Sequence, residues 1–220
     1  MTRDIAEKKK TDIIKSVPNL TDILSNDVLV ICRQIEWMRI VTGFDQANQY
    51  VIYDQNAKSN TIGRMFTRQI AGTHRPFEAF VLDLNSNVIM KINRPFTLIN
   101  SKLTVTDGTN GNIFGLIHQK NNQFASINEG FLAWDFTLRD EVGKPLSYIT
   151  RNWTNLAQEV KTFRKIYQLF TDAGKYVVQF KNIPGQSREL TFEEKAVTLG
   201  CSTAIDLDYF TRYLKFRSVK

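Results

Sequence analysis

The chain has little of what usually marks an enzyme or a secreted protein. It holds only two cysteines, Cys32 and Cys201, too few for a disulfide framework or a thiolate metal cluster, and such sparse use suits a reducing compartment. Both sit in apolar stretches and read as core residues. The two histidines, His74 and His118, show no ligand spacing such as a helical i, i+4 pair, and no Gly-x-Ser-x-Gly elbow or phosphate-binding loop occurs. They read as a turn residue and a strand-end residue. Met1 to Lys15 contains no apolar signal-peptide core, and Asp4, Glu7 and Asp12 do not suit a mitochondrial presequence. Cytosolic synthesis and an intracellular location are therefore expected, and the sequons at Asn19 and Asn152 read as chance matches. Repeats and low-complexity linkers are also lacking, so one domain accounts for the length. Its expected bounds are residues 21–214, between a tail over 1–20 and a basic tail over 215–220.

A hydrophobic run long enough to span a bilayer is missing as well. The nearest candidate closes the chain, where Thr191 and Glu194 form a capping box that satisfies first-turn amides, and Arg212 and Lys215 suit the negative end of the helix dipole. Between them Phe192, Ala196, Val197, Leu199, Cys201, Ala204, Ile205, Leu207 and Phe210 cover a helix to about Tyr213 on nearly all sides, the pattern of an element buried in protein or lipid. A span takes about 20 apolar residues, whereas the uncharged run here ends at Ile205 before Asp206 and Asp208. Length favours a helix inside the fold, with Val197, Leu199, Ile205 and Phe210 as buried positions. Asp206 and Asp208 are expected where the helix leaves the fold and reaches water; if buried, they must be paired or protonated.

Acidic residues are in deficit. The formal charge is +7 and the pI about 9.4, which favours anionic partners, either phospholipid head groups or nucleic acid. Two basic groups stand out: Lys161, Arg164 and Lys165, and the acid-free tail with Arg212, Lys215, Arg217 and Lys220. Each is a solvated face or a membrane-binding patch, and near an anionic bilayer each basic residue contributes about 1 kcal/mol. No strong nucleic-acid signal and no small-molecule site accompany them.

What the sequence has in quantity is short alternating apolar segments separated by Asn, Asp and Gly. Val28–Gln34, Trp37–Thr42, Tyr50–Asp54, Ile62–Arg68, Phe77–Leu84, Val88–Asn93, Leu103–Thr106, Ile113–Gln119, Phe124–Asn128, Ala133–Arg139, Leu146–Asn152 and Tyr176–Lys181 read as strands of a meander. The fold expected is mainly β, a closed antiparallel barrel of about twelve strands around the buried C-terminal α-helix; closure removes sheet edges, and the helix fills the interior. One segment departs from this period. Leu156, Val160, Phe163, Ile166, Tyr167 and Phe170 share one face of an amphipathic helix from about Asn155 to Leu169, which packs on the barrel or lies at a bilayer surface.

Several short motifs, in order, resemble the phospholipid scramblases. They are Arg75 to Phe96, Asn152-Trp-Thr154, Phe170-Thr-Asp-Ala173, Val178-Gln-Phe180, Lys195 to Gly200 and Ile205-Asp206, and Phe131 to Glu141 is similar to the fungal, mitochondria-associated members. The resemblance covers about Leu20 to Phe210. It implies a tubby-like fold, a barrel around a central helix, together with membrane association, mitochondrial association and calcium-dependent, energy-independent movement of phospholipid between leaflets. Anionic phospholipid membranes are the partner it implies, and a lipid translocator or binding protein rather than an enzyme. A soluble tubby-like module that binds lipid, protein or nucleic acid without moving lipid is the other class. The proline-rich arm and palmitoylated cysteine cluster common in the family are absent from the sequence. The calcium loop implied by the resemblance begins at Asp172 and offers one carboxylate with Lys175 and Lys181 nearby. Calcium usually gathers six to eight oxygens, several from carboxylates, so a weak site is expected.

Overall fold

A computed structural model of the chain describes residues 19–34, 48–54, 61–69, 76–96, 102–117, 125–127, 133–151 and 174–210. Ten strands form one antiparallel sheet: β1 (Val28–Gln34), β2 (Asn48–Asp54), β3 (Thr61–Gln69), β4 (Phe77–Leu82), β5 (Val88–Arg94), β6 (Leu103–Asp107), β7 (Ile113–Ile117), β8 (Asp135–Arg139), β9 (Pro145–Thr150) and β10 (Lys175–Gln179). Their order is β7-β6-β5-β4-β3-β2-β1-β10-β9-β8. Every neighbour is a sequence neighbour except β1 and β10, which pair from Val28 opposite Gln179 to Cys32 opposite Lys175.

Ten of the twelve segments expected from alternation are these strands. Trp37–Thr42 lies outside the described residues, as do the amphipathic segment 155–169, His74 and His118. Phe124–Asn128 is not a strand where it is described, because Ser126 makes only an isolated antiparallel bridge to Arg139. Among the described residues the sheet is open between β7 and β8, so the closed twelve-stranded barrel is replaced here by one ten-stranded sheet.

The sheet has two unlike ends. At one, strands are joined by tight turns closed by aspartates: Asp83 accepts from the amides of Asn85 and Asn87, Asp107 from Thr109, and Asp140 from Val142 and Lys144. The short helix α1 (Leu20–Ser25) sits at this turn end. Its start is written locally, since Asn19 and Asp22 exchange side-chain and backbone hydrogen bonds in a capping box and Leu20, Ile23 and Leu24 share its buried face. At the other end lie the starts or finishes marked by Gln34, Asn48, Gln69, Arg94, Leu103, Thr150 and Lys175.

The long helix α2 (Phe192–Ile205) runs from the turn end to the opposite one against the inner face of the sheet. Its first turn is held as its sequence dictates: the Thr191 hydroxyl accepts from the Glu194 amide at 3.3 Å, and the Glu194 carboxylate accepts from the Thr191 amide at 2.9 Å. Hydrogen bonds from the Arg188 guanidinium then hold the Glu194 carboxyl below its ordinary range. Further in, the absence of side chains lets the backbone come close. A β-carbon at Gly115 of β7 would lie 2.6 Å from Val197, and one at Gly200 would lie 2.7 Å from Val105 of β6. Lys195, buried, donates to the Leu24 carbonyl at 2.9 Å and so ties α2 to α1.

Ala196, Val197, Leu199 and Ile205 are buried together with the inward residues Leu29, Ile31, Ile52, Met65, Ala79, Val81, Ile92, Val105, Phe136 and Val178, which makes a single core with the helix at its centre. Strands β1 and β10 are buried on both faces, and accordingly read as continuous apolar runs in the sequence. Among the described residues no helix is long and apolar enough to cross a membrane. The α-helical part of the terminal helix has 14 residues, and at Asp206 it widens into a π-helical turn, Asp206–Phe210, instead of continuing as α-helix toward Tyr213.

Leu199 is fully buried, so Leu199→Asp places an unpaired charge in a dry interior at a cost of several kcal/mol. That is comparable to a whole domain's stability. The variant is expected to lose its cooperative thermal transition by circular dichroism; a melt within a few degrees of wild type would show that the helix does not occupy the core.

Candidate functional site: the charged rim where the central helix emerges

Inward positions along the strands are apolar until the last layer at the end where α2 emerges, and there they turn polar. Arg33 follows Leu29 and Ile31 on β1, Tyr50 precedes Ile52 on β2, Thr67 follows Met65 on β3, and Arg94 follows Met90 and Ile92 on β5. The helix meets this layer with Ser202, Thr203, Asp206 and Asp208. The π turn matters here, because such turns inside helices re-aim side chains and concentrate at functional positions.

Asp206 is 2% exposed and accepts a hydrogen bond from the Tyr50 hydroxyl at 2.6 Å. This corrects the expectation that both aspartates reach water. Burial pushes the Tyr50 hydroxyl well above its ordinary pKa, and the Asp206 carboxylate and Tyr176 add to that, against the pull of Arg33. Tyr50 therefore stays a proton donor at every physiological pH. Tyr176, also enclosed, is raised by burial and then by Asp206, with the nearby hydroxyls of Ser202 and Thr203 opposing. Arg151, after β9, is lowered by burial while Asp206 holds it up and Arg33 pushes it down. A carboxylate thus sits among tyrosine hydroxyls and guanidinium groups in a low-dielectric setting, which is how a buried acid is tolerated.

Asp208 is paired differently. Both its oxygens accept from Arg94, Nη1 at 2.5 Å and Nη2 at 2.8 Å, a two-pronged arrangement suited to the planar guanidinium. The Arg94 side chain is 6% exposed and that of Asp208 26%, so this acid is the one with some water contact. The guanidinium also lies 4.6 Å from the centroid of the Phe77 ring. Arg33 donates to the buried Asn48, and its own position depends on Gly174: that residue has φ +84°, and a β-carbon on it would lie 2.9 Å from Arg33 Cβ. Only glycine takes that backbone without strain and leaves that space.

Around this layer, exposed aromatic side chains form an outer rim. Trp134 stands 5.6 Å from the Arg151 guanidinium, and Tyr209 packs edge-on against Phe136 at 5.2 Å. Phe96 projects just beyond Arg94 and Pro95.

Among the residues singled out from sequence, Val197, Leu199 and Ile205 lie in the core, Asp206 and Asp208 in this layer. Lys161, Arg164, Lys165, Asp172, Arg212, Lys215, Arg217 and the side chain of Phe210 lie outside the described residues. Both thiols, Cys32 and Cys201, are pushed up to about 12 by burial, with Lys175 pulling Cys32 slightly back. No three His, Cys, Asp or Glu side chains gather into a metal-holding group among the described residues. Tyr50, Arg94 and Arg151 were missed from sequence. The signal for Arg94 was present: in Met90-Lys-Ile-Asn-Arg94 the arginine holds an inward position, and a buried arginine requires an acid.

The family model for scramblases matches residues 8–121 and 106–212. The chain belongs to the scramblase family. Among curated scramblase relatives, it is 31% identical to a phospholipid scramblase family protein of Schizosaccharomyces pombe, over 86% of this chain and 61% of that protein. It is 32% identical to altered inheritance rate of mitochondria protein 25 of Saccharomyces cerevisiae, over 94% of this chain and 78% of that protein. The chain thus spans about three fifths of the first relative's length. The alignments run to 241 and 263 positions, longer than the chain itself, so these relatives carry residues it lacks within the matched region. No solved structure matches.

Removing one partner from a buried charge network costs more than the bond itself contributes. Tyr50→Phe, which deletes only the hydroxyl facing Asp206, is expected to lower unfolding free energy by about 1–3 kcal/mol, and Arg94→Met by about 3–5 kcal/mol. Urea titration of both variants measures this. Losses below about 0.5 kcal/mol, the range of ordinary surface changes, would mean that the layer does not hold the helix.

Proposed function

We propose that this chain is a peripheral membrane protein of the scramblase type, which binds anionic phospholipid bilayers and promotes passive movement of phospholipid between leaflets. The match to the scramblase family over most of the chain carries the reading. Attachment is assigned to Lys161, Arg164 and Lys165 with Arg212, Lys215 and Arg217. Support comes from where their segments join the fold: 152–173 connects Arg151 to Gly174, and 211–220 continues from the π turn, both at the end where the central helix emerges. The name of the budding-yeast relative refers to mitochondria, and a mitochondrial membrane is the proposed location. Barrel closure is part of the same proposal, supported by two observations: the sheet's edges, β7 and β8, are consecutive in sequence, and Ser126 bridges to Arg139 of β8.

The second reading, a tubby-like lipid- or protein-binding module without transport, is favoured by one observation. The sheet's interior is filled by α2, which leaves no route for a head group through its centre. Reconstitution separates the two. The purified protein is expected to float with phosphatidylserine-containing liposomes, less so as salt rises, since exposed charges are screened over about 8 Å at 0.15 M ionic strength. It is also expected to expose inner-leaflet fluorescent lipid to dithionite. Flotation without lipid exchange leaves the binding module; binding equal on neutral lipid removes the electrostatic attachment.

Calcium acts weakly in this proposal, with Asp172 as its one charged ligand and a dissociation constant of about 10⁻⁴–10⁻³ M or higher. Calorimetric titration at micromolar calcium is expected to show no heat of binding. A rise in melting temperature at that concentration, abolished in Asp172→Ala, would establish a tight site instead.

A further inference from the structure

The fold is polar in charge along the axis of α2. Among the described residues at the turn end, Asp22, Asp27, Asp54, Asp83, Asp107, Asp140, Glu141 and Glu193 outweigh Arg64, Arg139, Lys144 and the buried Lys195, while Lys181 and Arg188 are engaged by Glu189 and Glu194. Among the described residues at the emerging end the balance reverses: Arg33, Arg68, Arg94, Lys102, Arg151 and Lys175 stand against Glu78, Asp135, Asp206 and Asp208. Aromatic side chains divide the same way. Phe96, Trp134 and Tyr209, 67%, 45% and 38% exposed, all lie at the emerging end, whereas the exposed large apolar residues at the turn end, Leu84, Ile113 and Val142, are aliphatics on or beside separate tight turns.

We infer that the rim formed by Phe96, Trp134 and Tyr209 is the face that enters the head-group layer of an anionic bilayer. The inference rests on the proposed membrane binding and adds to it a docking face and orientation. Amphipathic aromatic rings favour the boundary between head groups and acyl chains. Charge complementarity selects the anionic membrane as occupant: the cationic end faces the lipid phosphates and the acidic end points away, so the field of the protein orients it before contact. Arg151 contributes twice, since its guanidinium lies over the Trp134 ring, where it offers a charge to a phosphate while the ring enters the bilayer.

Three tryptophans occur in the chain, and replacing Trp37 and Trp153 by Phe leaves Trp134 as the sole emitter. With phosphatidylcholine–phosphatidylserine vesicles, its emission is expected to shift to the blue and to be quenched when the phosphatidylcholine carries bromine on its acyl chains. In flotation, Phe96→Ser in the otherwise unaltered chain is expected to weaken binding about tenfold, the effect of withdrawing one large apolar side chain from lipid, while Val142→Ser leaves it unchanged. Thermal melts of the variants establish that they are folded, and the Phe96 arm keeps the test decisive if the tryptophan replacements do not fold. Flotation with no Trp134 shift and no effect of Phe96→Ser overturns this face and leaves the membrane reading standing. Sensitivity to Val142→Ser in place of Phe96→Ser reverses the orientation and likewise overturns it. No flotation at all removes the membrane reading and this face with it.

Discussion

A helix that is apolar on every side has no stable place at a boundary with water, and the architecture is a response to that constraint. An ordinary amphipathic helix can pack on one face of a sheet and leave its other face in solvent; α2 cannot. Strands that run as a meander must therefore curve around it, and the close contacts of Gly115 with Val197 and of Gly200 with Val105 show how near the surrounding strands come. The single non-sequential pairing, β1 with β10, joins the first half of the meander to the second. With β1 and β10 buried on both faces, the middle of the sheet is the most enclosed part of the molecule.

Much of this was legible because two periodicities coexist in the sequence. Inward residues such as Leu29, Ile31, Met90 and Ile92 alternate with outward ones, which gives strands, and the capping box at Thr191 marks a helix start whatever residues come after it. The termination of that helix was not legible. Asp206 and Asp208 look like a water-facing exit in a one-dimensional reading, because the nearest sequence neighbours offer them no partner. Their partners, Tyr50 and Arg94, lie 156 and 114 residues away, and only the sheet brings them together. α1 escaped notice for a different reason: its six residues are too few for a helical period to emerge, although the Asn19–Asp22 capping box was written there. The site was less legible than the fold, since its exposed aromatics come from three separate segments.

The polar layer has a second consequence for the helix. Acids at a helix C-terminus add to the negative end of its dipole, which is ordinarily unfavourable. Here cations from the strands and their ends, Arg33, Arg94 and Arg151, surround that end and offset both the dipole and the carboxylates. The arrangement concentrates positive side chains at one end of the sheet for reasons of internal stability. The same cations give that end the sign an anionic surface attracts, so the packing requirement and the orientation of the molecule in a field have one origin.

That origin also limits how lipid movement could work. Withdrawing α2 into a bilayer would uncover the inward side chains it packs against, Leu29, Ile52, Ile92 and Val105 among them, at about 1.5–3 kcal/mol for each large apolar side chain left to water, or about 10 kcal/mol for these four together. A domain's entire stability is about 5–15 kcal/mol, and the withdrawal would in addition strand Arg94 and the Tyr50 hydroxyl without their carboxylates. Among the described residues the helix has 14 α-helical residues, fewer than the roughly 20 that cross the hydrocarbon layer. Helix extraction is thus close to unfolding without gaining a span. In the proposed function, passage of lipid between leaflets therefore has to be achieved with the helix in place, at the rim where the helix emerges.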